Sequence, residues 1–174
     1  IRAASWTDWP QLLRLVSAIF PHIGAGEAGY LLRRHHAATV VAWRGPRLVG
    51  YYQFYAHAEP GVAWLNHFGV EPGARGSGEA TALLRFFERH AWSSGFESVA
   101  LDALEDNVRA HRFYERSGFA FVSKQVHDDG VKFRFRKLLS DVVALSRPMP
   151  SIRPPGRWVR ACRRLAFAAL TRGR

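Results

Sequence analysis

The chain has 174 residues, 48% hydrophobic and 22% charged, which suits one packed domain and argues against a multi-domain assembly or general disorder. Its single cysteine, Cys162, excludes an internal disulfide framework and a Cys-rich zinc site, and no run reaches the ~20 apolar residues of a membrane-spanning helix. A formal charge of +11 sets up a field that attracts nucleic acid, anionic lipid or an anionic small molecule. These features fit a reducing, cytoplasmic setting. The start lacks the charged-then-apolar order of a signal peptide, and the absence of Met before Ile1 leaves a preceding segment open.

Ile1–Ala4 reads as an opening strand, followed by a helix from Thr7 or Asp8 to Phe20 and a second over Gly26–His36. Thr39–Trp43 and Leu48–Ala56 are β-branched or aromatic runs around Arg44-Gly45-Pro46-Arg47, which predicts a hairpin, and Val62–Val70 adds a third strand. Between Gly78 and Ser94 the residues Ala80, Leu83, Leu84, Phe87 and Ala91 form one helical stripe. Ser98–Leu101 is then a short strand. Asp106 can cap a helix whose inner face is Ala110, Phe113, Tyr114 and Ser117, ended by Gly118. Phe119–Val126 and Val131–Lys137 close as a hairpin around Asp128-Asp129-Gly130. This order predicts an α/β fold: a mixed sheet with helices on both faces.

The charge is uneven. Residues 1–139 hold 17 basic and 13 acidic side chains, a net +4, whereas residues 140–174 hold 8 basic and 1 acidic, a net +7. Prolines at 148, 150, 154 and 155 mark residues 140–156 as a linker between a domain at 1–139 and a tail at 157–174. In the tail, Trp158, Cys162, Leu165 and Ala169 recur at helical spacing opposite arginines, a basic amphipathic helix. Its stripe over 157–170 would suit an anionic membrane surface, making the chain peripheral there, or a protein partner. Packing back on the domain or on a second subunit of a homodimer explains it equally well. No nucleic-acid-binding motif accompanies the arginines, so nucleic acid is disfavoured.

Val70-Glu71-Pro72-Gly73-Ala74-Arg75-Gly76-Ser77-Gly78-Glu79-Ala80 runs from a strand straight into a helix. Its glycines admit close approach of a ligand to the backbone, and N–H groups at a helix start form an anion cradle. A tight structural turn would use the same residues. Neither a Walker loop nor a dinucleotide fingerprint fits the spacing. About thirty residues on stands Asn107-Val108-Arg109-Ala110-His111-Arg112-Phe113-Tyr114-Glu115-Arg116-Ser117-Gly118-Phe119.

Together these two segments resemble the GNAT superfamily of acyl-coenzyme A-dependent N-acyltransferases. The family's pyrophosphate loop, Gln/Arg-x-x-Gly-x-Gly/Ala, is matched by Arg75, Gly78 and Ala80, and its later motif by Asn107, Ala110, Tyr114, Gly118 and Phe119. The resemblance covers roughly residues 1–137, with the motifs confined to 62–122. It implies a GNAT fold, mostly antiparallel, and transfer of an acyl group, most often acetyl, from acyl-CoA to the primary amine of a small molecule or peptide by direct attack. Acetyl-CoA would be the donor and no metal would take part. A non-catalytic coenzyme-binding or partner-docking module of the same fold is the alternative.

The resemblance also assigns roles. Phe68 and Val70 would offer backbone groups to the pantetheine arm, and Arg75, Gly76, Ser77, Gly78, Glu79 and Ala80 would surround the pyrophosphate. Asn107, Ala110, Phe113 and Tyr114 would complete the coenzyme site. Tyr114 would be the general acid; a phenol with an ordinary pKa of ~10 keeps its proton at neutral pH. As an isolated residue it reads equally as a core aromatic. Asp102 matches an acidic position that serves as base in ribosomal-protein alanine acetyltransferases, and otherwise reads as a strand-end residue capping a turn. His67 titrates near neutrality and is the second candidate base, with a hydrogen-bonded core histidine as its plain reading. The strand Val62-Ala63-Trp64-Leu65-Asn66-His67 has no carboxylate where histone-type members carry a glutamate. Water-mediated deprotonation through Asn66 or Glu105, or no dedicated base, stays open. Phe20, Tyr30, Tyr51, Tyr52, Tyr55, His57 and His127 fall on elements that select the acceptor in the family, giving an aromatic rather than acidic lining.

Overall fold

The computed structural model describes residues 1–21, 24, 26, 28–29, 39–128 and 130–140. The linker and the basic tail lie outside them, as does most of the helix expected over Gly26–His36; Gly26, Ala28 and Gly29 are helical. Seven strands form one sheet: β1 (Arg2–Ala3), β2 (Thr39–Arg44), β3 (Arg47–Ala56), β4 (Val62–Val70), β5 (Ser98–Leu104), β6 (Ala120–His127) and β7 (Gly130–Leu138). The order across it is β1-β2-β3-β4-β5-β7-β6, antiparallel except where β4 runs parallel to β5. Among the described residues, α1 (Trp9–Ile19), α2 (Glu79–Ser93) and α3 (Val108–Arg116) flank it. Among the described residues no helix is long and apolar enough to cross a membrane.

Strand alternation divides the apolar side chains between two faces. On one face Val40, Tyr52, Phe54, Leu65, Val99, Leu101 and Phe135 pack with Leu83, Leu84 and Phe87 of α2 and with Tyr114 of α3. On the other, Val41, Leu48 and Tyr51 lie with Leu12, Leu15 and Val16 of α1. Beyond α1 that second face continues as a smaller group, Val62, Trp64 and Ala100, with Tyr55 at its margin. Gly69 lets α1 close down here: an added Cβ would sit 2.7 Å from Ile19 Cδ1.

Several buried polar groups are paired, whereas Trp43 Nε1, Tyr51 Oη and Arg89 Nε are buried without a hydrogen-bond partner among the described residues. Asp8, before α1, accepts from both terminal nitrogens of Arg2 at 2.6 Å and from the Ser5 amide at 2.7 Å. The Arg2 guanidinium holds its carboxyl below the usual range. Tyr52 Oη lies 2.9 Å from His90 Nδ1 among Phe54, Phe86 and Phe87, and burial lowers the His90 pKa. Lys137 Nζ donates to buried Glu88 at 2.7 Å and to the Ser117 carbonyl at 2.8 Å, tying β7 to α2 and the end of α3.

The structure departs from the sequence reading in three places. Asn107, not Asp106, caps α3, its Oδ1 accepting from the Ala110 amide at 3.1 Å. The helix also buries His111, whose Nε2 lies 2.8 Å from the Leu104 carbonyl and whose ring stacks on Phe133. β5 runs on to Leu104, because β7 pairs with it along its whole length. Gly118 follows α3 with φ +85°, as its place in the sequence predicts.

Candidate active site

β4 and β5 begin side by side and then part. Their register pairs Val62 with Ser98, Ala63 with Val99 and Trp64 with Ala100, and stops there although β4 continues to Val70 and β5 to Leu104. A bulge explains the divergence. Gln53 pairs with His67 and Phe54 with Leu65, so Asn66 is an extra residue in β4, and such an insertion bends its strand. The result is an opening in the middle of the sheet, lined on the α2 and α3 face by Phe68. Its ring stacks on Phe113 at 5.8 Å and lies 6.4 Å from the ring of Tyr114.

The glycine loop stands at the wide end of this opening. A 3-10 turn over Pro72–Ala74 follows β4, Arg75 is extended, and Gly76 and Gly78 take φ values of +84° and +92° before α2 begins. Only glycine adopts such angles without strain. Ala82 donates to the Gly78 carbonyl in the first bond of the helix. The N–H groups from Gly76 to Thr81 make no backbone hydrogen bond among the described residues. A Cβ placed on Gly73, Gly76 or Gly78 would meet nothing within 4 Å. Open space, aligned donors and a helix N-terminus fit a diphosphate. Ser77 Oγ donates to the Ala74 carbonyl at 2.6 Å and contacts Glu79, whose carboxylate is paired with Arg44. That pairing offsets a negative charge that would oppose an anion at the helix start.

Tyr114 reaches the opening from α3. Its ring is packed by Phe119, Phe135 and Phe113, and burial pushes its phenol pKa up, so the hydroxyl keeps its proton at neutral pH. Asp102 points to the opposite face, in line with Trp64 and Ala100. Both its oxygens accept from Arg134, at 2.9 and 3.0 Å, and His127 Nε2 lies 3.7 Å away. The Arg134 guanidinium covers the Trp64 ring at 4.7 Å, and His57 stacks on that indole at 4.8 Å. His67 shares this face. Its Nδ1 lies 2.9 Å from Gln53 Oε1 and its ring 6.1 Å from that of Phe20.

The structure thus gathers the loop, Phe68, Phe113 and Tyr114 at one opening, with His67 and Asp102 on the far face. Ala110 lies against the same core, while Asn107 acts in the structure as a helix cap. Of the residues expected on the acceptor side, Tyr55, His57 and His127 are partly open. Tyr51 and Tyr52 are wholly buried core residues instead, and Tyr30 lies outside the described residues. Three contributors were not singled out from sequence: Gln53, Trp64 and Arg134. Gln53 left a trace there, as the one polar residue inside Tyr51-Tyr52-Gln53-Phe54-Tyr55.

A split parallel strand pair beside a glycine loop and a buried tyrosine is the arrangement that the GNAT resemblance implies. A model of the acetyltransferase (GNAT) family matches residues 4–119, and the chain belongs to that family. Among curated relatives, the mycothiol acetyltransferase of Streptomyces avermitilis is 36% identical over 84 residues, 48% of this chain and 27% of that protein. The mycothiol acetyltransferase of Frankia casuarinae is 36% identical over 101 residues, 52% of this chain and 27% of that protein. The chain therefore spans about a quarter of the length of these relatives. Among solved structures, the ribosomal-protein-S18-alanine N-acetyltransferase of Escherichia coli superposes with a TM-score of 0.66 at 16% identity, covering 79% of this chain and 92% of that one. An aminoglycoside 6′-N-acetyltransferase complexed with coenzyme A gives 0.65 at 17% identity over 84% and 95%. At these identities the structural likeness speaks for the fold alone.

Proposed function

We propose that the protein transfers an acetyl group from acetyl-CoA to a primary amine. The observation that carries this is the opening between β4 and β5, with the loop N–H groups that make no backbone hydrogen bond among the described residues at its mouth and the Tyr114 ring beside Phe68 on its flank. When bound, the coenzyme supplies the thioester whose carbonyl carbon the amine attacks. Gly76, Ser77 and Gly78 would hold its pyrophosphate through backbone N–H groups, with Arg75 adding charge. Phe68 and Val70 would align its arm along the free edge of β4. Tyr114 would give its Oη proton to the sulfur released as the C–S bond breaks, and His67 would take up the proton shed by the amine nitrogen as the N–C bond forms.

His67 is favoured over Asp102 as base because both Asp102 oxygens already accept from Arg134. Asp102 and Arg134 would instead shape the acceptor side, over which His57, backed by the buried Trp64, and Tyr55 present aromatic surface. That lining suits a sugar amine or a peptide N-terminus, and the acceptor used by the mycothiol acetyltransferases heads the panel to test. Thiol release from acetyl-CoA, followed with a panel of amines, is the direct assay. Tyr114→Phe should lower kcat about 100-fold or more, with KM for acetyl-CoA within about twofold. Unchanged turnover would reject the acid, and coenzyme binding without release of thiol across the panel would support the binding-module reading.

A further inference from the structure

We propose that Arg44 and Arg47, which flank the β2–β3 turn, are positioning residues for the coenzyme: they grip the glycine loop at both ends and cancel the two carboxylates that border it, so that the loop admits a diphosphate. This rests on the coenzyme site of the reading above. Glu71 borders the loop directly after β4, and Glu79 opens α2 at its other end. Glu79 stands in the first turn of the helix, beside the N–H groups that would face the ligand, and its charge there repels an anion. Each carboxylate is met by one arginine of the turn. Arg47 Nη2 donates to Glu71 Oε1 and Oε2 at 2.9 and 3.0 Å. Arg44 is paired with Glu79, and its Nη2 donates to Ser77 Oγ at 3.1 Å.

The placement of the two arginines argues for a role at the loop. Gly45 and Pro46 alone join β2 to β3, and Arg44 pairs directly with Arg47 across the hairpin. Like charges directly opposite one another weaken a strand pair, so the hairpin by itself gives no reason for two arginines there. The carboxylates bordering the loop supply the partners that the hairpin lacks. Backbone bonds fix the same neighbourhood: the Glu71 amide donates to the Val49 carbonyl of β3 at 2.8 Å, and the Ala74 amide to the Glu71 carbonyl at 2.9 Å. Gly76, Ser77 and Gly78 then lead from that anchored start to the residues held by Arg44. The arginine side chains are 56% and 70% exposed, so removing either opens no cavity and acts through charge and loop order.

The test uses the full chain and follows binding of coenzyme A by calorimetry. Arg44→Met should raise Kd for coenzyme A about 5- to 20-fold at low ionic strength, and the gap from the parent should narrow at about 0.5 M salt. Arg47→Met should act in the same direction by a smaller factor, since Glu71 precedes the loop rather than opening the helix. Adding Glu79→Gln to Arg44→Met removes the uncovered charge and should return Kd to within about threefold of the parent. Competition by pantetheine, which carries no phosphate, should be the same in all four proteins. At saturating acetyl-CoA, kcat in Arg44→Met should hold within about twofold while KM follows Kd. Should Arg44→Met not fold, Arg47→Met with and without Glu71→Gln carries the same comparison. A parental Kd in Arg44→Met, a double variant as weak as the single one, or an equal loss of pantetheine binding would overturn the proposal. A parent that binds no coenzyme A would instead remove the acetyl-transfer reading and this one with it.

Discussion

Tyr52 and Gln53 are neighbours on β3, point to opposite faces of the sheet, and each meets a histidine. Behind Tyr52 lies His90, shut in by Phe54, Phe86 and Phe87, with its pKa lowered by burial. Across from Gln53 lies His67, half-buried on the face that α1 covers only in part. Equivalent polar pairs therefore sit in different surroundings. Enclosure favours a neutral imidazole that serves as a packing element, whereas an imidazole beside the strand opening would be placed to exchange a proton with a substrate under the function proposed above. Substitutions behind the sheet should cost stability and spare turnover, while those at the opening should do the reverse.

The strongest test of that division is Lys137→Met. It leaves the buried Glu88 carboxylate without its partner and should destabilise the fold by about 3–5 kcal/mol in denaturant unfolding. Turnover per folded molecule should hold, and a matching fall in kcat would break the comparison. Tyr52→Phe is milder, removing one hydrogen bond and leaving His90 Nδ1 unsatisfied, at a cost of about 1–2 kcal/mol with kinetics again intact.

The smallest effect is on pH. Because folding lowers the His90 pKa, the unfolded chain binds more protons once the pH falls below the ordinary histidine value of ~6.5, so stability should decline from there downward. Denaturation midpoints at pH 7.5 and 5.5 should differ in the parent and differ less in His90→Gln. Asp8, held below the usual carboxylate range by Arg2, adds a further loss as the pH falls below ~4. A midpoint that did not move between pH 7.5 and 5.5 would mean that His90 is not enclosed as described.

Local signals carried much of the fold. The span Val62–Val70 matches β4 residue for residue, and the apolar stripe from Ala80 to Ala91 lies within α2, because period and turn chemistry act over a few residues. Glycines 76, 78 and 118 take positive φ where loop and helix end require them. Misreadings arose where a distant contact decided. His111 is an inward residue because the Leu104 carbonyl and Phe133 receive it, and neither is visible in the α3 pattern. Tyr51 and Tyr52 could have lined an acceptor pocket until packing on both faces of β3 enclosed them.

At the site the same boundary holds. The loop and the run from Asn107 to Phe119 are contiguous stretches, so backbone freedom, capping and helical period made an anion cradle and an inward tyrosine legible from the sequence alone. The opening itself came from tertiary structure: one extra residue at Asn66, set against β3, bends β4 away from β5. So did the pairing of Asp102 with Arg134 and of His67 with Gln53, since side chains 32 and 14 residues apart meet only after strands pair in register.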